Sequence, residues 1–195
     1  DSFKKEIVKK GVPHDKIEVV KNGVDYELFK PHHGNRQSIA NLDLNGKTII
    51  GFIGTHGMAH KLDFILNCAK ELRNSNFHFL FVGDGAMKRS LLEKKERESI
   101  TNVTMLDSVT KVEVPKYLSL VNISLINLKK DDLFKTVIPS KIFETAAMEI
   151  PILLGVDGEA RSMIEKYDAG LYFEPENKQS FLKKLSEITI PENHL

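Results

Sequence analysis

From residue 48 onward, short runs of apolar residues alternate with stretches of helical spacing, and this alternation constrains the fold most strongly. Runs of strand type occupy residues 49–53, 77–82, 103–106, 123–126, 151–154 and 171–173. Helices are predicted at residues 62–72, 87–97, 114–118, 140–148, 158–167 and 180–188. A strand that is apolar throughout is buried on both faces, and alternating strands and helices are typical of a parallel sheet. We therefore predict a Rossmann-like, doubly wound α/β fold with about six parallel strands and helices on both faces.

The first 45 residues precede this regular pattern. Residues 2–10 predict a short amphipathic helix that stops at Gly11, and residues 16–20 predict a short strand. Residues 32–45 are polar and irregular. Because the chain begins without methionine, we expect it to be a fragment that lacks an earlier portion. We expect residues 1–195 to form a single domain, with residues 1–45 as an inter-domain linker.

The composition narrows the class of function. The chain has 195 residues, 41% of them hydrophobic and 28% charged, with a formal net charge of +1. A nearly neutral chain has no general electrostatic reason to bind nucleic acid, so we expect a local site instead. Its single cysteine, Cys68, lies in an apolar helical pattern and cannot form an internal disulfide. We therefore expect a reduced, cytoplasmic protein.

The stretch Pro139-Ser140-Lys141-Ile142-Phe143-Glu144 follows an apolar strand and a polar loop. Pro139 suits the turn before a helix, and Ser140 can cap the helix start. Lys141 adds a cation where the helix dipole disfavours one, which suggests that an anion such as phosphate is expected there. Glu144 lies on roughly the same face and could accept hydrogen bonds from sugar hydroxyls. The alternative is a strand-loop-helix joint with surface charges.

Three other loops are expected at the same edge, where parallel sheets bind ligands. In the loop of residues 54–61, Gly54 and Gly57 allow a ligand to approach the backbone, and Lys61 stands at a helix start. His56 and His60 suit ligand contact or loop polarity better than a metal site, since a metal needs more ligands.

The segment Gly83-Asp84-Gly85 matches part of a dinucleotide-binding fingerprint. Lys88 replaces its third glycine, and no acidic residue ends the following strand, so a nicotinamide cofactor is disfavoured. The glycines instead suit a tight turn near a nucleotide, and Asp84 could alternatively cap the next helix.

Residues 107–110 follow a further strand. The backbone there could meet the edge of a base, while Ser108 or Thr110 caps a helix. Glu159 and Arg161 could face the same crevice or simply begin a helix. No catalytic triad, nucleophile elbow, Walker loop or zinc cluster is present. The residues alone therefore indicate binding of a phosphorylated, hydroxyl-rich ligand.

Taken together, these motifs resemble the carboxyl-terminal, donor-binding half of a GT-B glycosyltransferase of family four. The resemblance rests on residues 17–25 with Phe29 and Pro31, on residues 81–85, and on residues 139–144 with 151–153 and 158–159. The sequence of residues 54–60 is similar to that of the same loop in bacterial N-acetylfucosamine transferases of surface polysaccharide synthesis.

The resemblance implies roles for individual residues. Glu144 matches the second acid of a paired-glutamate motif that holds the donor ribose, and Lys61 matches the basic residue that neutralises the diphosphate; both are expected to be catalytic. Two departures are Thr136, where the first acid is expected, and Thr55, where an arginine is common. The expected donor-binding residues are Gly54, Thr55, His56, Gly57, Gly83, Asp84, Gly85, Val109, Thr136, Ser140, Lys141 and Glu144.

The implied function is transfer of a sugar from a nucleotide sugar, with uridine as the expected base. The resemblance implies a retaining reaction without a metal, and an acceptor glycan or polyprenyl-linked sugar of lipopolysaccharide or capsule synthesis. It also implies a missing amino-terminal domain that binds the acceptor, activity at the inner face of the membrane, and little or no transfer by this chain alone. Two alternatives are a nucleotide-sugar epimerase-like domain and a non-catalytic nucleotide or phosphosugar-binding module, the latter favoured by Thr136.

Overall fold

The computed structural model describes residues 2–31, 44 and 46–190 and contains one parallel sheet of six strands. The strand order is β3-β2-β1-β4-β5-β6, which confirms the predicted doubly wound α/β fold. The strands are β1 (Thr48–Ile53), β2 (Phe77–Val82), β3 (Val103–Leu106), β4 (Ile123–Asn127), β5 (Ile152–Gly155) and β6 (Gly170–Tyr172). The α-helices are α1 (Ser2–Lys9), α2 (Leu62–Glu71), α3 (Lys88–Arg97), α4 (Val114–Leu118), α5 (Lys141–Ala147), α6 (Glu159–Lys166) and α7 (Lys178–Glu187).

One face of the sheet is covered by α2, α3 and α7. Alternate residues of the central strands point to this face, among them Ile50 and Phe52 of β1 and Phe79 and Phe81 of β2. They share a buried apolar cluster with Phe181 of α7. Burying aromatic and aliphatic side chains of this size stabilises a fold by roughly 1.5–3 kcal/mol each, so this cluster is a main source of stability.

The opposite face is covered by α4, α5 and α6. There Ile152 and Leu154 of β5 pack with Ile142 of α5 and Ile164 of α6. Both faces of the sheet are therefore buried, which explains why its strands are apolar throughout.

The sheet reverses its winding between β1 and β4, which are neighbours although two strands separate them in the chain. The loops that leave their carboxyl ends turn in opposite directions, which opens a crevice at that edge. Gly54 and Gly83 bring the loops after β1 and β2 into backbone contact. A Cβ added at Gly83, whose φ is +154°, would lie 1.9 Å from the carbonyl oxygen of Gly54.

Two local predictions were wrong. The strand predicted at residues 16–20 is absent: Lys16 ends a short 3-10 turn, His14–Lys16, and residues 17–20 form neither strand nor helix. No strand of the described residues pairs with this segment. Ser140 has helical backbone angles and its side chain does not cap α5. The polar stretch 32–45 lies outside the described residues except for Leu44. Phe29 is buried against α4 and the end of α5, which attaches the amino-terminal segment to the domain.

Candidate functional site

A cleft of about 390 Å³ lies at the carboxyl ends of β1, β2 and β3, beside the start of α5. This is the edge at which the sequence predicts a ligand. Eight of the predicted site residues line the cleft: Gly54, Thr55, Gly83, Asp84, Val109, Ser140, Lys141 and Glu144. The remaining lining residues are Ile53, His60, Val82, Ser108 and Val114.

Lys141 brings an unpaired positive charge to this cleft. Its Nζ is buried, has no hydrogen-bond partner among the described residues, and lies 4.1 Å from the centre of the Phe52 ring. It also sits against the turn after β1, since a Cβ added at Gly54 would be 2.8 Å from it. Burial lowers the pKa of Lys141 from 10.5 to about 8, and Glu144 opposes this shift. A buried cation without a partner is costly, so an anionic ligand in the cleft would relieve that cost.

Glu144 lies three residues after Lys141, and its side chain is mostly buried. Its carboxylate accepts a hydrogen bond from the ammonium of Lys111, which begins the 3-10 turn directly before α4. The same ammonium lies 4.8 Å from the centre of the Phe29 ring. Glu144 is therefore held by a partly exposed lysine that a ligand hydroxyl could replace.

His60 lines the cleft and is fixed by Asn127 at the end of β4. The His60 Nδ1 lies 3.2 Å from the Asn127 carbonyl oxygen, and the Asn127 side-chain amide donates to the His60 carbonyl at 2.9 Å. The imidazole also contacts the Phe52 ring edge-on, with centroids 5.3 Å apart. Burial and the nearby Lys141 lower the pKa of His60, while the Asn127 contact opposes the shift.

His56 lies in the packed interior beside the cleft and is not among its lining residues. Its side chain is fully buried, and neither ring nitrogen has a partner within the described residues. Burial, reinforced by Lys88, lowers the pKa of His56 to about 4, so the ring is neutral at pH 7. Its backbone joins two loops: the N–H donates to the Asp84 carbonyl at 2.8 Å, and the carbonyl accepts from Met87 N–H at 2.9 Å. The structure therefore shows His56 joining the loops after β1 and β2.

Four further predicted site residues are absent from the cleft lining. Lys61 has a left-handed backbone, with φ of 43°, and its ammonium lies 3.7 Å from carboxylate oxygens of both Asp63 and Glu176. Thr136 ends a 3-10 turn, Asp132–Thr136, and its hydroxyl donates to the Leu133 carbonyl at 3.4 Å. The other two are glycines, Gly57 and Gly85.

Side chains of the neighbouring loops and of the start of α3 mainly hold the backbone around the cleft in place. Lys88 donates to the Gly83 carbonyl at 2.7 Å and to the Leu106 carbonyl, so it ties the ends of β2 and β3 together. The N–H and hydroxyl of Thr110 both donate to Glu113, at 2.9 and 2.6 Å, as expected for a helix-start residue. Asp84 accepts a hydrogen bond from the N–H of Gly85 and does not cap α3.

A second cavity, of about 360 Å³, lies at the carboxyl ends of β4, β5 and β6. Cations in it are neutralised by neighbouring carboxylates: Lys130 pairs with Glu174 at 2.6 Å, and Lys135 pairs with Asp132 at 2.7 Å. The cleft with the unpaired Lys141 is therefore the better anion site of the two. Within the described part of the chain, no three His, Cys, Asp or Glu side chains are grouped to hold a metal ion. No described helix is both long and apolar enough to cross a membrane.

A family model described as glycosyl transferases group 1 matches residues 47–189, which include the whole sheet and the cleft. The chain belongs to this family. This membership confirms the coarser part of the sequence interpretation, a carboxyl-terminal glycosyltransferase domain of GT-B type.

One similar protein is TuaH of Bacillus subtilis (strain 168). It is assigned as a glycosyltransferase of teichuronic acid biosynthesis. The two are 29% identical over 191 residues, which cover 96% of this chain and 46% of TuaH. The chain thus spans about half the length of that relative.

Two solved structures show the same fold. The Anabaena protein HepE, solved in complex with UDP-glucose, matches with a TM-score of 0.79 and 14% identity, over 94% of this chain and 50% of that one. The carboxyl-terminal domain of the group 1 glycosyltransferase LpcC from Francisella tularensis matches with a TM-score of 0.67 and 18% identity, over 85% and 87% of the two chains.

Sequence reasoning missed the contacts that hold two of the cleft side chains, that of Glu144 with Lys111 and that of His60 with Asn127. The pairing of Lys111 with Glu144 joins residues 33 positions apart, and no local pattern predicts it. For His60 the sequence predicts ligand contact or loop polarity, without indicating which residue holds its ring. Its contact with Asn127, at the end of another strand, depends on the sheet order.

Proposed function

We propose that this chain is the nucleotide-sugar-binding half of a retaining glycosyltransferase that uses a UDP-linked donor. The observation that carries the proposal is the buried ammonium of Lys141 in the cleft at the carboxyl edge of the sheet, which has no hydrogen-bond partner in the part of the chain that the structure describes. A diphosphate would supply the missing negative charge.

The proposed roles follow the geometry of the cleft. Lys141 stabilises the negative charge that develops on the leaving diphosphate, which is the electrostatic task of such a site. Glu144 exchanges its contact with Lys111 for hydroxyls of the donor ribose. Gly54, where a Cβ would lie 2.8 Å from the Lys141 ammonium, allows the diphosphate to approach the backbone beside that charge. The segment at Ser108 and Val109 lines the cleft where the base would lie.

The relatives support a finer assignment. HepE was solved with UDP-glucose, which favours uridine as the base. TuaH is attributed to teichuronic acid biosynthesis, which favours a glycan acceptor of bacterial surface polysaccharide synthesis. Similarity of residues 54–60 to the N-acetylfucosamine transferases stays a proposal about the subgroup. We further propose that an additional, amino-terminal domain binds the acceptor, and that the enzyme acts at the cytoplasmic face of the membrane.

A non-catalytic binding module is the second candidate, and Thr136 favours it. The paired-glutamate motif has an acid at this position, whereas the hydroxyl of Thr136 is directed to its own turn and the residue does not line the cleft. Release of UDP from a UDP-sugar by the longer protein in the presence of acceptor would exclude this candidate.

Calorimetric titration of the chain with UDP, GDP and ADP tests the proposed function. We expect UDP to bind most tightly of the three. If none of the three nucleotides binds, the nucleotide-sugar assignment fails. Tighter binding of GDP or ADP would retain a nucleotide site but exclude uridine as the base.

A further inference from the structure

His60 is a cleft residue whose imidazole can be either neutral or positively charged. The ring lines the cleft, and its Nδ1 lies 3.2 Å from the carbonyl oxygen of Asn127. A carbonyl oxygen only accepts hydrogen bonds, so Nδ1 carries a proton in both the neutral and the charged ring. The nitrogen available to the cleft is therefore Nε2, which has no hydrogen-bond partner within the described part of the chain.

The orientation of this ring is firmly held. Asn127 contacts His60 twice, through its own carbonyl and through its side-chain amide. The neighbouring backbone is fixed as well, because Lys129 N–H donates to the Ala59 carbonyl at 2.7 Å. Phe52 covers the ring from β1. Because the ring is held in this way, Nδ1 cannot turn from Asn127 towards a ligand.

The charges around His60 disfavour its protonation in the free protein. Burial lowers the pKa of His60, and Lys141 of α5, which lies over the same Phe52 ring, lowers it further. His56, in the same loop, is neutral and brings no negative charge. The carboxylate of Glu144 acts on Lys141 and is itself paired with Lys111. In the free cleft, Nε2 is therefore mainly an unprotonated acceptor.

We propose that His60 binds the donor diphosphate through a protonated Nε2, so that donor binding is coupled to uptake of a proton. This inference rests on the proposed function. A neutral ring would present the Nε2 lone pair to phosphate oxygens, which is repulsive, whereas the protonated ring donates a charge-assisted hydrogen bond. The diphosphate supplies the negative charge that raises the pKa of His60 in the complex.

Calorimetry with a UDP-sugar in buffers of low and high ionisation enthalpy measures this proton uptake. A UDP-sugar is chosen because its esterified diphosphate does not titrate near neutrality. At pH 7 Lys141 is already mostly charged, since its pKa is about 8. We expect wild type to take up a substantial fraction of one proton per bound donor at pH 7, with affinity falling as pH rises from 6 to 8.

Three variants separate His60 from other histidines and from a structural effect. His60→Gln should lose the proton uptake and about tenfold in affinity, as expected for one charge-assisted contact. His60→Lys should retain affinity without proton uptake, because its charge is permanent. His78→Gln is the matched control: His78 is also half-buried with a lowered pKa, but it lies near the amino end of β2. Its uptake should equal that of wild type.

Histidine-ring NMR on wild type gives a test that needs no folded variant. One histidine pKa should rise by about one unit or more when the UDP-sugar is added. Binding without proton uptake, or uptake that persists in His60→Gln, would overturn this inference and leave the proposed function intact. Absence of UDP-sugar binding by wild type would overturn the proposed function itself.

Discussion

Replacing Lys141 by methionine should stabilise the unliganded chain, although Lys141 is proposed to bind the donor. Lowering the pKa of Lys141 from 10.5 to about 8 corresponds to about 3 kcal/mol of unfavourable burial of the charge. The contact with Phe52, at 4.1 Å, returns about 1 kcal/mol. Methionine keeps a similar volume and makes favourable contacts with aromatic rings. The variant should therefore be more stable by about 2 kcal/mol, since it avoids the larger cost and keeps part of the contact.

Urea unfolding at pH 7 measures this difference, and the midpoint should rise by about 1 M. Lys166→Met is the matched control, because the exposed ammonium of Lys166 lies 4.9 Å from the centre of the Tyr167 ring. Its stability should change by less than about 0.5 kcal/mol. A Lys141→Met variant that is less stable than wild type would refute the reasoning.

The pH dependence of stability gives a second readout of the same prediction. The pKa of Lys141 is lower in the folded chain than in the unfolded one, so the unfolded chain binds more protons between about pH 8 and 10.5. The penalty is complete below pH 8 and is relieved as the pH rises through this window. The stability advantage of Lys141→Met should consequently shrink between pH 8 and 10. An advantage that stays constant would show that charge burial is not its cause.

Substitutions at three other positions, Glu144, Gly83 and Lys61, test separate parts of the account. Glu144→Ala should weaken UDP-sugar binding about tenfold and Glu144→Gln less, because the amide oxygen can still accept a hydroxyl; unchanged affinity in both would remove the ribose role. Gly83→Ala should destabilise the fold by at least about 3 kcal/mol, since the added Cβ meets backbone at 1.9 Å, whereas Gly23→Ala, with nothing within 4 Å, should change stability by less than about 1 kcal/mol; similar unfolding midpoints would contradict this packing. Lys61→Ala should alter stability by less than about 1 kcal/mol and reduce UDP affinity less than Lys141→Met does; a larger loss in calorimetry would restore Lys61 as the main diphosphate ligand.

The sheet could be predicted almost completely from the sequence, because burial on both faces imposes an apolar run on each central strand. The predicted bounds 77–82 and 103–106 are those of β2 and β3. Residues 16–20 carry a similar short apolar signal without forming a strand. A strand needs a partner, and the local sequence does not record whether one is adjacent.

The cleft could be predicted as a location but not in its contacts. Its position follows from the rule that ligands bind at the carboxyl edge, and Lys141 and Glu144 lie there as expected. Whether Lys61 or His60 faces the cleft depends on the left-handed backbone of Lys61. With φ of 43° at Lys61, the backbone turns before α2, and its ammonium lies near Asp63 and Glu176. The identity of the residue that faces the cleft thus depends on backbone geometry absent from the hydrophobic pattern.

The most direct test of the central claim compares UDP with uridine by calorimetry, on wild type and on Lys141→Met. If the unpaired ammonium of Lys141 serves a diphosphate, wild type should bind UDP at least about tenfold more tightly than uridine. Most of that difference should disappear in Lys141→Met, while uridine binding stays nearly unchanged. Equal affinities of wild type for UDP and uridine, or a preference for UDP that persists unchanged in Lys141→Met, would contradict the account.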